Sequence, residues 1–285
     1  MIPTSSTYSF DAPDADIIIV SSSCEPTPRE FRLHRNVLTL ASPFFQDMFS
    51  LPQSHHPGKQ EVPILPVSES SDILDALFHF VYPILDPFIE TLDVLGAVLE
   101  AAVKYDFLLA IQHLRKVLVE QRFLTNFPLR VFAIAWRYDF QEEIDLAVQY
   151  TLNTDILSVP LTDDLKHVTA HTFRRLVDLH RRRASAAHKL LQLPNEVKCP
   201  HCNGYGHARY NAPKWWYEWM KRAKEELSLR PSSSVIFQPE FMSQAAAVVG
   251  CPQCPSSMFA SLPHLEKIRR DIDALPCEMQ CSSDS

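Results

Sequence analysis

Apolar positions along the chain follow a strand-like pattern near the start and a helical pattern afterwards. A β-branched run at residues 14–22 predicts a short buried strand, and residues 29–33 predict a second strand that forms a hairpin with it. Residues 61–65 predict a third strand. From Val37 onwards apolar residues return every three or four positions, which is typical of amphipathic helices. The predicted fold class is therefore α+β and mostly α, with short strands capped by helices.

The start of one early helix carries its own signal. Ser42 followed by Pro43 predicts a capped helix, because Ser accepts a backbone N–H and Pro fixes φ at the first helical position. Four apolar side chains then share one face of this helix: Phe44, Phe45, Met48 and Phe49. Further helices are predicted within residues 68–83, 93–119 (a pair), 127–140, 141–153, 169–193, 213–229 and 239–250.

This order of elements, together with one long motif, resembles the BTB (POZ) domain. The motif is FRLHRNVLTLASPFFQDMF at residues 31–49, and Asp16 precedes it in the first strand. The positions that carry the resemblance are Asp16, His34, Val37, Leu38, Ser42, Phe44, Phe45, Met48 and Phe49. The resemblance implies that His34 packs between strand and helix, and that residues 16–122 form one domain after an unstructured stretch at residues 1–15.

What the resemblance implies about function is protein–protein association. BTB domains commonly form homodimers, and many recruit cullin ubiquitin-ligase scaffolds while other domains hold a substrate. Members that bind cullin tend to carry a hydrophobic-x-Glu motif soon after the Met-Phe pair. The matching place here reads Leu51-Pro52-Gln53, so Leu51 and Gln53 are the predicted partner contacts, although Gln53 lacks the charge of Glu. We expect a non-enzymatic adaptor or scaffold with protein partners.

The helices that follow are predicted to form two further parts. Residues 123–195 resemble, in architecture, the BACK-type helical extension that follows BTB domains, and the whole chain is similar to a set of proteins from mushroom-forming fungi with a Cys/Trp-rich tail. Residues 196–275 are predicted to form a helical module pinned by cysteines, and residues 276–285 a disordered tail. Cys277 and Cys281 are expected to be free thiols in or near that tail, and Cys24 a loop residue.

Two Cys-Pro-x-Cys pairs form the candidate metal-binding site of the chain. Cys199 with Cys202 and Cys251 with Cys254 supply four thiolates, the ligand set of a closed structural zinc site. The 48 residues between the pairs exceed the usual spacing of compact zinc modules, but two predicted helices between them can return the chain to its start. Free thiols and a thioredoxin-like redox site are the alternatives. His201 and His207 are possible substitute ligands.

Charge is distributed unevenly along a chain whose net charge is -7. Residues 161–230 carry 14 Lys and Arg against 7 Asp and Glu, and include the run RRR at residues 181–183. A solvated helix face explains this run, and so does a patch for nucleic acid or an acidic partner. The alternative function is therefore a transcription-associated, nucleic-acid-binding protein that uses this region and the nearby tryptophans.

Other function classes find no support in the sequence. No nucleophile–base pair, phosphate loop or carboxylate dyad appears in a context that favours catalysis, so we expect no enzyme and no catalytic residues. The opening residues lack the pattern of a signal peptide, and no long apolar run predicts a membrane span. Seven cysteines without an export signal indicate a reducing compartment, so we expect the protein in the cytoplasm, the nucleus or both.

Overall fold

The computed structural model describes residues 8–24, 26–51, 62–192, 197–203 and 211–279. The chain divides into two units, Met1–Leu124 and Thr125–Ser285. The first unit ends close to the boundary predicted at residue 122. The helices follow the predicted order, and the fold class is α+β and mostly α, as predicted.

A three-stranded sheet lies at the start of the first unit. Its strands are β1 (Ile17–Val20), β2 (Glu30–Leu33) and β3 (Ile64–Pro66), in the spatial order β2-β1-β3. β1 and β2 pair antiparallel, with Ile17 opposite Leu33, which is the predicted hairpin. β3 pairs parallel to β1, with Ile18 opposite Ile64. β1 is central and apolar because both of its edges are covered.

Phe10, within the described residues before β1, is packed, although residues 1–15 were predicted to be unstructured. Phe10 is buried, and its ring lies 5.9 Å from that of Phe31 and 5.7 Å from that of Phe78. The carbonyl of Phe10 accepts the N–H of Arg32 at 2.8 Å. Burying one large aromatic ring offsets the cost of ordering a short segment, and this contact is long-range, so local composition did not reveal it.

Helices surround the sheet of the first unit. They are α1 (Arg35–Ala41), α2 (Pro43–Ser50), α3 (Ser71–Val81), α4 (Leu92–Lys104) and α5 (Leu108–Leu118), and α6 (Gln121–Asn126) crosses the boundary between the units. Ser42 caps α2 as predicted: its Oγ accepts the N–H of Phe45 at 3.1 Å and donates to the carbonyl of Tyr105 at 2.6 Å. One hydroxyl therefore starts a helix and ties it to the end of α4.

The residues that opened the BTB-like motif tie β1 to α1. The carboxylate of Asp16 accepts the N–H of Arg35 at 2.6 Å, which caps a helix whose own N-cap residue, His34, makes no side-chain cap. The N–H of His34 donates to the hydroxyl of Tyr82 at 2.9 Å. Phe44 departs from the predicted shared face, because its side chain is 43% exposed while Phe45 is buried.

Within the residues described, the second unit consists of helices and the loops that join them, without a strand. It contains α7 (Pro128–Arg137), α8 (Gln141–Thr151), a 3₁₀ turn at Asp163–His167, α9 (Ala170–Leu190), α10 (Lys214–Leu229), α11 (Pro239–Val248), α12 (Cys254–Ala260) and α13 (Leu262–Asp273). α12 and α13 lie beyond the helices predicted from the sequence. Among the described residues, no helix is both long enough and apolar enough to cross a membrane.

The core of this unit joins α9 to the cysteine region. Trp215, Trp216 and Trp219 are fully buried there, and Ala187 and Leu191 from the end of α9 belong to the same cluster. The boundary predicted near residue 195 therefore falls inside one core.

Residues 276–279, at the start of the tail that was predicted to be disordered, are hydrogen-bonded to α9. Carbonyls of Pro276 and Met279 accept hydrogen bonds from Arg183 and Arg175. Both arginines lie in α9, so the sequence places the donors about a hundred residues before the segment that they hold.

Candidate functional site

The four cysteines of the two Cys-Pro-x-Cys pairs meet in the second unit. All four are buried, and their Sγ atoms all lie within 4.8 Å of one another. The Sγ atoms of Cys199 and Cys251 are 3.8 Å apart, and those of Cys202 and Cys254 are 3.7 Å apart. Each close pair takes one sulfur from each motif, so the cluster joins two segments that are distant in the sequence.

Asn203 shapes the first pair into a tight turn. Its side-chain oxygen accepts the N–H of Cys199 at 2.6 Å, its own N–H donates to the carbonyl of Cys199 at 3.1 Å, and its side-chain nitrogen donates to the carbonyl of Val197 at 3.3 Å. Asn203 is itself buried, so these bonds compensate for the water that its polar atoms have lost. Asn203 was missed from the sequence, although its place directly after the second cysteine was a signal.

The second pair follows the end of α11. Gly250 adopts φ 62, a left-handed conformation that ends the helix as predicted. A Cβ at Gly250 would meet nothing within 4 Å, so backbone conformation, and not space, favours glycine there. The N–H of Cys254 then donates to the carbonyl of Cys251 at 3.2 Å, and Cys254 begins α12. The turn brings both thiols to the same side of the chain.

The N-terminus of α10 lies against the sulfur atoms. The N–H of Lys214 donates to the Sγ of Cys202 at 3.5 Å, and the N–H of Trp215 donates to the Sγ of Cys254. The first N–H groups of a helix have no partner within the helix and carry a partial positive charge, which stabilises a thiolate. This helix end therefore contributes electrostatic support for negative charge on the cluster.

A short chain of hydrogen bonds links the two cysteine pairs. The indole N–H of Trp215 donates to the Oγ of Ser257 at 3.0 Å, and the hydroxyl of Ser257 donates to the carbonyl of Lys198 at 2.9 Å. Lys198 precedes the first pair and Ser257 follows the second. The indole of Trp215 therefore packs in the core and also helps to fix the positions of the two cysteine pairs relative to each other.

The pKa values of three of these thiols are shifted. Burial raises the pKa of Cys202 and of Cys254. Burial acts in the same direction on Cys251, but hydrogen bonds from the N–H of Gln253, from neighbouring sulfurs and from His201 outweigh it and lower the pKa of Cys251 to about 6. The Nδ1 of His201 lies 3.4 Å from the Sγ of Cys251. Several buried thiolates at this distance repel one another, so full deprotonation requires a cation among them.

The geometry fits a tetrahedral metal ion. For a Zn–S bond of about 2.3 Å, the edge of a regular tetrahedron of sulfurs is about 3.8 Å. The separations of the two close sulfur pairs, 3.7 and 3.8 Å, match that edge, and both are far longer than a disulfide bond of about 2.05 Å. Four buried cysteines this close can hold a metal ion such as zinc. The set leaves no coordination position for water.

The thioredoxin-like alternative requires a helix that starts at the first cysteine. Cys199–Asn203 instead form a turn, and the next helix among the described residues begins at Lys214. His207, the second possible substitute ligand, lies outside the described residues, as does Cys281. Cys24 is exposed and Cys277 half-buried, and neither belongs to the cluster.

The remaining candidates are the tryptophans proposed for nucleic-acid binding and the Leu51–Gln53 contact motif. The three tryptophans of α10 have no exposed surface, so their rings are not available to stack on bases. In the first unit Leu51 is 62% exposed at the end of α2, and its partner in the predicted contact motif, Gln53, lies outside the described residues. Leu51 is therefore accessible at the surface, and its predicted contact with a partner stays a prediction.

The first unit is a small sheet surrounded by helices, and the second is a helical unit with a four-cysteine cluster. Comparison with known protein families assigns the first part, because residues 12–122 match the BTB/POZ domain. The chain therefore contains a BTB/POZ domain, as the motif at residues 31–49 predicted. A search of curated proteins found no match. BTB domains are typically interaction modules and not enzymes, which supports a general role as a protein-interaction adaptor.

Proposed function

We propose that the protein is a non-enzymatic adaptor that binds protein partners through its BTB domain. The observation that carries the proposal is the match of residues 12–122 to this domain. The surface of the first unit supports it. Large apolar side chains on and after its first two helices face solvent, with Leu40 89%, Leu51 62% and Phe44 43% exposed. Exposed apolar side chains close together in the fold are typical of interaction surfaces.

Two kinds of partner fit this surface. The first is a second copy of the chain, since BTB domains commonly pair. The second is a cullin scaffold, and we propose that Leu51 and Gln53 contact it in place of the hydrophobic-x-Glu motif. A cullin adaptor would present a substrate through its second unit. We place this activity in the cytoplasm or nucleus, where free thiols such as Cys24 stay reduced.

Light scattering and a binding assay test both partners. A homodimer gives twice the chain mass of 32.6 kDa. For cullin, the purified scaffold is titrated against the wild type, Leu51→Asp, and the control Leu161→Asp, which replaces a 92% exposed leucine in the second unit. We expect Leu51→Asp to weaken binding at least tenfold and Leu161→Asp to leave it unchanged. A strict monomer that binds neither cullin nor any other protein contradicts the proposal.

We further propose that the four-cysteine cluster holds one structural zinc ion. Cys199, Cys202, Cys251 and Cys254 would be its ligands, and the N–H groups of Lys214 and Trp215 would stabilise the excess negative charge of the site. Bound zinc supplies a cross-link between the two segments, and it has no catalytic role because all four ligands come from the protein. The His residues are not needed to complete the set.

Native mass spectrometry with metal analysis tests this second proposal. We expect one zinc per chain, lost on strong chelation together with a fall in the melting temperature of the second unit. Cys199→Ser and Cys254→Ser should lose the metal, whereas Cys24→Ser, an exposed cysteine in the first unit, should retain it. A metal-free protein that melts unchanged after chelation rules out the zinc site.

A further inference from the structure

The run of three arginines in α9 divides between the inside and the outside of the second unit. Arg183 is buried, and its guanidinium donates to the carbonyls of Pro231 and Ile272. Arg181 and Arg182 are exposed. Packing thus explains Arg183, whereas Arg181 and Arg182 place positive charge on the surface.

The exposed arginines belong to a longer row on α9. We define the basic face as the solvent-facing side chains His171, Arg174, Arg181, Arg182, Ser185 and Lys189. Arg174 and Arg181 are seven residues apart, as are Arg182 and Lys189, so each pair is separated by about 10.5 Å along the same side of the helix. The row therefore presents cations at a two-turn repeat along most of a 21-residue helix.

A single carboxylate interrupts the basic face. Asp178 lies between Arg174 and Arg181, where its Oδ2 is 3.0 Å from the Nε of Arg174 and its Oδ1 is 4.0 Å from the Nη1 of Arg181. All three side chains are substantially exposed. Asp178 thus occupies part of the hydrogen-bonding capacity of two arginines without burying them, and solvent screening keeps these ion pairs weak.

We propose that the basic face binds an acidic segment of a partner protein. The positive charge of this region is complementary to an acidic partner, because residues 161–230 carry an excess of basic residues although the net charge of the chain is -7. An acidic helix with carboxylates at a seven-residue spacing matches the repeat of the row, and arginine forks bind carboxylates in a bidentate geometry. The face belongs to the second unit, so this proposal does not depend on BTB-mediated binding.

Nucleic acid fits the same face less well. DNA carries a phosphate charge every few ångströms, so Asp178 would lie among phosphates and repel them. Sequence-tolerant binding of single strands also uses aromatic platforms, and the tryptophans of α10 are buried. A peptide helix can place uncharged residues opposite Asp178, whereas a phosphate backbone cannot.

Fluorescence anisotropy with three probes tests the proposal on the full chain. The probes are a labelled helical peptide of about 16 residues with Glu at seven-residue intervals, the same peptide with Gln in place of each Glu, and a single-stranded oligonucleotide of equal charge. We expect the Glu peptide to bind in a salt-sensitive manner and the Gln peptide not to bind. Tighter binding of the oligonucleotide than of the Glu peptide would overturn the assignment in favour of nucleic acid.

Substitutions on α9 make the test specific to this face. Arg181→Gln and Arg182→Gln should each weaken binding of the Glu peptide by roughly two- to fivefold, the contribution of one exposed ion pair. Asp178→Asn should strengthen binding of the same peptide by a similar factor, because the substitution releases two guanidinium groups. Arg269→Gln on α13, which removes an arginine paired with Glu266, is the control and should change nothing. Unchanged affinity in the α9 variants, with melting temperatures intact, refutes the proposal.

Discussion

Arg183 gives the sharpest prediction about stability. Its guanidinium donates from Nε to the carbonyl of Pro231 at 3.0 Å, from Nη2 to that of Ile272 at 2.9 Å, and from Nη1 to that of Pro276 at 3.1 Å, with a further bond to the carbonyl of Leu275. One side chain of α9 thus caps the C-terminal end of α13 and holds the segment after it. We therefore predict that Arg183→Met destabilises the second unit.

The magnitude follows from opposing contributions. A hydrogen bond from a charged donor contributes about 1.5–3 kcal/mol, and each buried carbonyl left without a donor costs about 1–3 kcal/mol. Removing the arginine also relieves the cost of burying its charge, the same burial that lowers the pKa of Arg183. We expect a net loss of about 3–5 kcal/mol, less than the sum over four bonds. Arg183→Lys keeps the charge but loses the planar fork, so we expect about half of that loss.

Denaturant unfolding followed by tryptophan fluorescence measures this loss. All four tryptophans, Trp136, Trp215, Trp216 and Trp219, lie in the second unit, so their emission reports on that unit alone. The control is Arg182→Met, which removes a neighbouring exposed arginine and should change stability by less than about 0.5 kcal/mol. A loss below about 1 kcal/mol for Arg183→Met, or one equal to the control, would refute the assigned role of the buried guanidinium.

Three further predictions concern single side chains. Burial lowers the pKa of His180 to about 4, so between pH 6.5 and 4 the unfolded chain binds a proton that the folded chain does not. The free energy of unfolding should therefore fall by up to about 3 kcal/mol as pH drops through this range. Denaturant unfolding of the wild type and of His180→Gln across the same range should show that the variant lacks this pH dependence. Asn203→Ala should weaken zinc binding about 10- to 100-fold in a chelator competition, while Asn203→Asp, which keeps the acceptor for the N–H of Cys199, should lose less; equal affinities would show that Asn203 does not shape the site. Ser42→Ala should cost the first unit about 1–3 kcal/mol by circular dichroism in urea, because it removes both the cap of α2 and the bond to Tyr105, and a change within error would contradict that double role.

Features set by neighbours in the sequence were predictable. Ser42 followed by Pro43 marked the start of α2, because capping depends on residues within one helical turn. Gly250 marked the end of α11 for the same reason. The two Cys-Pro-x-Cys pairs were recognisable because each turn is local, and two intervening helices were enough to suggest that the pairs could meet.

Features set by distant contacts were not predictable from one sequence. Phe10 lies in the stretch predicted to be unstructured, and contacts with Phe31 and Phe78 place it in the core. Arg183 belonged to a basic run, and nothing nearby distinguished it from Arg181 and Arg182. Its role depends on carbonyls about 90 residues later. The parallel pairing of β3 with β1 likewise joins strands separated by two helices.

The wide separation of the cysteine pairs has a consequence for the order of assembly. Cys199 and Cys251 are 52 positions apart, and closing a flexible loop of that length costs roughly 3.5 kcal/mol in chain entropy. An unfolded chain therefore captures zinc at all four ligands poorly, in contrast to a short zinc finger. We therefore expect α10 and α11 to pack first and bring the two turns together, so that the proposed zinc ion would enter late and cross-link a helical pair that has already formed. The zinc content of a preparation would consequently measure the fraction of molecules whose second unit has folded, and zinc supplied to a misfolded chain would not rescue it.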